Sequence, residues 1–215
     1  MIYYNIHTHQ SIQTLNEVTI ISLDLREDPL LKTGLYYSAG IHPWYANKDR
    51  LNSLYSIAHQ SSVVAIGEAG LDKLTEIPFE LQKDIFAIQV QLAEELQKPL
   101  IIHCVKAWQE LMAIHKKTNP SIPWIIHGFR GKKELARQLL AAGFYLSYGP
   151  YYQAEAVWET WNQHRLYAET DDKEINIQTV YTSISSTLNI SPTTLLEEIK
   201  ENLFLWPNNP LQIKK

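Results

Sequence analysis

The chemistry in this chain lies in histidines and carboxylates that close short apolar runs. His7 and His9 end the run Ile2-Tyr3-Tyr4-Asn5-Ile6-His7-Thr8-His9. Residues two apart on a strand share a face, so these imidazoles form a chelating pair. Neutral imidazole nitrogen is a common ligand for zinc and other divalent first-row metals. Later runs end alike: His42 after Gly40-Ile41, Glu68 and then Asp72 after Val63–Gly67, His103 after Leu100–Ile102, and His127 after Trp124–Ile126. Asp171 and Asp172 follow the last run, Leu166–Glu169. One strand-end histidine is more often structural than ligating. A set of them joined by carboxylates points instead to a centre for divalent metal. Such a set exceeds the ~4 ligands of one tetrahedral ion. Two ions about 3.5–4 Å apart that share a carboxylate would use it. His42, followed by Pro43-Trp44, reads as lining such a site without touching metal.

Other polar residues rank lower. Lys106 follows His103 closely, and Arg130, Lys132 and Lys133 follow His127-Gly128-Phe129. A basic run of this kind is usually the solvated start of a helix. Its alternative is that Lys106 or Arg130 holds a substrate phosphate oxygen, as the guanidinium fork does well. His59, His115 and His164 fall away from strand ends and read as surface residues. Trp44, Trp108, Trp124, Trp158, Trp161 and Trp206 read as core or rim packing.

Elements able to position the strand-end residues recur along the chain. Apolar runs at Ile2–His9, Val18–Leu25, Leu35–His42, Val63–Glu68, Leu100–His103, Trp124–His127, Phe144–Tyr148 and Leu166–Glu169 are mostly continuous, as strands are when both faces are covered. Helical spacing places Ile85, Ile88, Gln89, Leu92 and Leu96 on one side of Lys83–Leu96. Trp108, Leu111 and Ile114 make a second stripe, and Leu135, Leu139 and Leu140 a third. Lys173–Leu188 reads as a helix, and Ser191-Pro192 opens a last one with serine as cap and proline in the first turn. The pattern predicts an α/β fold, a TIM-type (β/α)₈ barrel. The links Gln10–Glu17 and Arg26–Gly34 are shorter than a helical crossover needs, so the barrel should be distorted, with its first crossovers shortened.

Composition narrows the function. The 215 residues carry a formal charge of −4, with 45% hydrophobic and 20% charged residues. This is ordinary for a globular protein and unlike one that coats duplex DNA by bulk charge. No linker divides the chain, so residues 1–215 read as a single domain. The lone cysteine, Cys104, excludes an internal disulfide and sits in an apolar run. No apolar stretch nears the ~18 residues of a membrane span, and a cytoplasmic location is the default.

Together these residues resemble the TatD family of metal-dependent deoxyribonucleases, within the amidohydrolase superfamily. The resemblance runs through Asn5–His9, Gly40-Ile41-His42-Pro43 and Gly67-Glu68-Ala69-Gly70-Leu71-Asp72, then Gln82…Phe86…Gln89…Ala93. It continues in Pro99–His103, His127-Gly128-Phe129, Glu169-Thr170-Asp171 and Asn202-Leu203-Phe204. It implies that His7, His9 and Asp171 hold one divalent ion (Mg, Mn or Zn), that His103 and His127 hold a second, and that Glu68 bridges them. The implied activity is hydrolysis of phosphodiester bonds in DNA by metal-activated water, with Asp171 and Glu68 as catalytic residues and His42, Lys106 and Arg130 on the substrate. Charge and the narrow mouth of a barrel favour single-stranded or frayed ends, or nucleotide fragments. Two departures stand out: Asn5 replaces the family's common Asp, and Asp172-Lys173 replaces Ser-Pro after Asp171. The alternatives are a same-superfamily hydrolase of another small phosphoester, ester or amide, and a non-catalytic binding module.

Overall fold

The computed structural model describes residues 1–10, 16–27, 29–208 and 211. Every expected strand forms: β1 (Tyr3–Thr8), β2 (Glu17–Asp24), β3 (Tyr36–Gly40), β4 (Val63–Asp72), β5 (Leu100–Val105), β6 (Trp124–Ile126), β7 (Tyr145–Tyr148) and β8 (Leu166–Ala168). Each pairs in parallel with the next in chain order. The ring closes at its C-terminal rim, where Thr8 and Asp171 form a parallel bridge. His9 donates its N–H to the Asp171 carbonyl at 3.0 Å, and Asp171 donates to the His7 carbonyl at 3.1 Å. Closure itself therefore sets His7, His9 and Asp171 side by side.

The outer layer is α1 (Leu51–Ala58), α2 (Phe79–Leu96), α3 (Trp108–Thr118), α4 (Lys133–Ala141), α5 (Ala154–Asn162), α6 (Ile177–Leu188) and α7 (Pro192–Phe204). With helices outside and packed side chains inside, β4 is buried along its whole length, which explains its apolar start Val63–Ile66. Local signals set the helix limits. Gln97, Asn119 and Asn189 end α2, α3 and α6 in left-handed conformations, and the Ser191 hydroxyl caps α7 on the Thr194 N–H.

The differences from expectation are local. α2 starts at Phe79, directly after Pro78, rather than where its apolar stripe becomes regular. α6 starts at Ile177 because Asn176 caps the Gln178 N–H, leaving Lys173–Ile175 outside it. α1 and α5 were not anticipated; each is short and shows a brief apolar stripe. Among the described residues no helix joins β1 to β2 or β2 to β3, in keeping with shortened first crossovers. Parts of the Gln10–Glu17 and Arg26–Gly34 links, and most of the tail after Asn208, lie outside the described residues. No helix among the described residues is long and apolar enough to cross a membrane. His115 is half-buried rather than fully on the surface, its ring packing 5.0 Å from Trp124 and 4.2 Å from Phe144.

Candidate metal centre

Glu68 stands at the middle of the barrel mouth because β4 is deformed there. Between Ile66 and Ala69 the strand carries one residue more than β5 opposite, a bulge that re-aims the side chain between them. Gly67 and Gly70 flank it at φ 143° and 155°, which side chains rarely adopt. A Cβ at Gly70 would overlap the His103 carbonyl oxygen, and one at Gly67 that of Ile101. These glycines let β4 press against β5.

The carboxylate divides the surrounding imidazoles into two sets. Oε1 lies 2.9 Å from His42 Nε2, 2.8 Å from His103 Nδ1 and 2.8 Å from His127 Nε2. Oε2 lies 3.4 Å from the Nε2 atoms of both His7 and His9. Asp171 Oδ1 is 3.7 Å from the same two nitrogens. Side chains read from strands far apart in sequence thus meet within one side chain's reach.

Neighbours fix the rings from behind. Asp72 Oδ2 accepts from His103 Nε2 at 3.2 Å and from Trp44 Nε1 at 2.6 Å, which turns His103 Nδ1 toward Glu68. Glu169, fully buried, accepts from Gly128 N–H at 2.6 Å and lies 3.5 Å from His127 Nδ1. Two buried glutamines on α2 pin the loops: Gln89 bonds both backbone groups of Ile41, just before His42, and Gln82 bonds those of Asp72. Asn5 takes up its substitution without reaching the centre, bonding Thr170 and the Glu17 carboxylate behind it.

Electrostatics follow from this packing. Burial would raise the Glu68 pKa, but charge on His127 and hydrogen bonds from His103, His127 and His42 outweigh it and hold the carboxyl well below its usual range. Burial lowers His127, and the carboxylates of Glu68 and Glu169 overcome it, lifting the ring well above an ordinary histidine. His9 is raised by its hydrogen bond to Glu68, whereas burial lowers His42. Cys104 is pushed up to about 12 by burial and is chemically quiet.

The residues suit a divalent cation. His7 is wholly buried, yet among the described residues neither ring nitrogen has a hydrogen-bond partner, an arrangement that costs free energy unless something binds there. Ligand atoms of His7, His127 and Asp171, of His7, His9 and Glu68, and of His42, Glu68 and His103 each lie within 4.8 Å of one another. His42 therefore sits among the candidate ligands, closer to the centre than the sequence suggested, because Gln89 holds its loop inward.

The mouth encloses about 310 Å³. Among the expected substrate residues, only His42 lines it. Lys106 is exposed in a left-handed turn beyond β5, and Arg130 lies over the Tyr151 ring at 5.5 Å, outside the cavity wall. Arg26, Arg50, Trp44 and Tyr45 line the mouth instead. The two arginines escaped the sequence reading because they stand in polar loops whose course only the closed barrel sets. Asp172 also lines the mouth, paired with Lys173 at 3.0 Å.

Comparison with known proteins agrees with this arrangement. The family described as TatD related DNase matches residues 10–204. The chain is 35% identical over 120 residues to the uncharacterized metal-dependent hydrolase YabD of Bacillus subtilis, covering 54% of this chain and 47% of that one. It is 35% identical over 119 residues to the 3'-5' ssDNA/RNA exonuclease TatD of Cronobacter sakazakii, covering 53% and 45%. The human 3'-5' RNA nuclease TATDN2 is 34% identical over 161 residues, 67% of this chain and 21% of that protein. The chain spans about half the length of the first two relatives, or less. The crystal structure of YjjV, a TatD homologue from Escherichia coli K12, shares the fold, with a TM-score of 0.79, 18% identity and coverage of 97% and 98% of the two chains. A match over most of the sequence, on a barrel that gathers these candidate ligands, means that the chain belongs to the TatD related DNase family.

Proposed function

We propose that this chain hydrolyses phosphodiester bonds in nucleic acid, single-stranded DNA first, using two divalent metal ions. The observation that carries the reading is the split of Glu68: one oxygen faces His42, His103 and His127, and the other faces His7 and His9. A carboxylate so placed is suited to bridge two cations. His7, His9 and Asp171 would hold one, and His103 and His127 the other, with His42 beside the second. Magnesium, manganese or zinc would supply Lewis acidity and acidify a water, toward a pKa of about 7 for zinc.

The chain's own groups do the rest. Asp171 lines the cavity beside the His7 and His9 nitrogens, where it can take a proton from an attacking water. Asp72 accepts from His103 Nε2 and Glu169 stands behind His127 Nδ1, so that the opposite nitrogen of each ring faces the centre, free to ligate. Arg50 at the mouth would offset substrate phosphate charge, whereas Arg26 there is paired with Asp24. The relatives named as ssDNA/RNA and RNA nucleases support this substrate class.

A second reading, hydrolysis of a small phosphoester, ester or amide, is favoured by a cavity at the low end of the ~300–1,000 Å³ typical of small-molecule sites. Metal-stripped chain, reconstituted with each ion, should cut single-stranded DNA only when loaded. Its His127→Ala form should be inactive while still folded. DNA cleavage by His127→Ala at the parent's rate removes that ligand from the site. Turnover confined to small esters or amides selects the second reading.

A further inference from the structure

Exposed aromatic rings recur on the rim at the C-terminal ends of the strands. Two of them carry an arginine across one face: Arg26 lies 4.0 Å from the Tyr45 ring centre, and Arg130 lies 5.5 Å from that of Tyr151. Tyr45 is 43% exposed and Tyr151 59%. Arg26 follows β2 and Tyr45 follows β3, whereas Arg130 follows β6 and Tyr151 follows β7. In a closed ring of eight strands in chain order, these two stations are half a turn apart, with Glu68 between them.

Their chemistry matches one ligand class. Aromatic faces and guanidinium planes accept stacked bases, and the guanidinium also takes phosphate oxygen. Asp172 is paired with Lys173, and Asp24 grips Arg26 and offsets its charge, so the first station offers its flat guanidinium and ring for stacking, while phosphate oxygen is left to the second. Arg50 donates to the Arg26 carbonyl at 2.6 Å and steadies the first station. Among the described residues, the Arg130 guanidinium has no carboxylate within ion-pair distance, so its charge is open to an incoming phosphate.

We propose that the Arg26–Tyr45 and Arg130–Tyr151 pairs are two poles of a path along which single-stranded nucleic acid crosses the barrel mouth, so that binding strengthens with strand length. This rests on the nucleic-acid reading of the same centre. It assigns Arg130 to a phosphate away from the bond being cut, in agreement with its place outside the cavity.

The test reads binding apart from turnover. Fluorescein-labelled phosphorothioate oligodeoxythymidylates, dinucleotide and octanucleotide, are titrated by anisotropy with the full chain in excess magnesium. The parent should bind the octanucleotide more tightly than the dinucleotide. Tyr151→Ala and Arg130→Ala should each weaken octanucleotide binding at least about fivefold, the low end for one stacked base, and leave the dinucleotide unchanged. Tyr151→Phe should keep the parent's affinity. Both positions are exposed, so folding is not at stake. A parent with no length dependence, or variants that match the parent or weaken both probes equally, overturn the path. Length-dependent binding lost in the variants supports it, and if such a chain then cleaves no DNA, the nuclease reading alone fails.

Discussion

Replacing Asp72 tests whether the groups behind the histidines set the metal centre. Asp72 accepts from His103 Nε2, from Trp44 Nε1 and, through its other oxygen at 2.8 Å, from the Leu74 N–H. In Asp72→Ala, Trp44 and Leu74 are exposed enough to regain water, whereas His103 is largely buried. Most of the stability cost is therefore the charge-assisted bond to His103, about 1.5–3 kcal/mol. Freed from Asp72, the ring can turn and put a protonated nitrogen toward Glu68, and such changes behind a ligand cost roughly 10–100-fold in metal affinity. Asp72→Asn is the sharper probe. Its amide has one acceptor oxygen, so it cannot serve both the Leu74 N–H and the His103–Trp44 pair. Metal affinity is read by competition with a chromophoric chelator, and stability by denaturant unfolding of the metal-free chain. If both variants bind manganese within about threefold of the parent, His103 needs no such support and the tautomer argument is wrong.

Further predictions address the fold and its pH response. Gly70→Ala should destabilise the metal-free chain by about 3 kcal/mol or more, because a Cβ there meets the His103 carbonyl and φ is unfavourable; a parent-like denaturation midpoint would refute this. Tyr181→Phe removes the buried hydroxyl that bonds the Tyr4 N–H and C=O, and should cost about 1–3 kcal/mol in the same assay while metal stoichiometry is kept. His115 is held below its ordinary value by burial among Trp124 and Phe144 and by Arg165. The unfolded chain takes up that proton near pH ~6.5. Stability is therefore full above that pH and falls as pH drops toward the depressed folded value. His115→Phe should lose less stability than the parent between neutral and mildly acidic pH, and identical losses would show that His115 plays no part.

The strands were legible because most are buried on both faces and read as apolar runs, and the strand-end histidines because two-residue spacing puts them on one face. The links before Gly40 were legible as too short for helices. α1 and α5 were not, since two or three turns seldom hold enough apolar residues to stand out from a loop. The unequal roles of similar strand ends were also hidden: His42 and His103 both follow apolar runs, yet only packing says that Gln89 draws one loop inward and Asp72 turns the other ring.

By itself the sequence determined which residues could ligate and in what order they occur, because strand ends and residue types are local properties. Only the tertiary structure decided that Thr8 bridges Asp171, that a bulge between two glycines aims Glu68 at both imidazole sets, and that Arg26 rather than Lys106 faces the mouth. The reason is geometric. Each of those facts depends on where the ring closes and how strands press together, and closure joins residues 163 positions apart, beyond the reach of any local pattern.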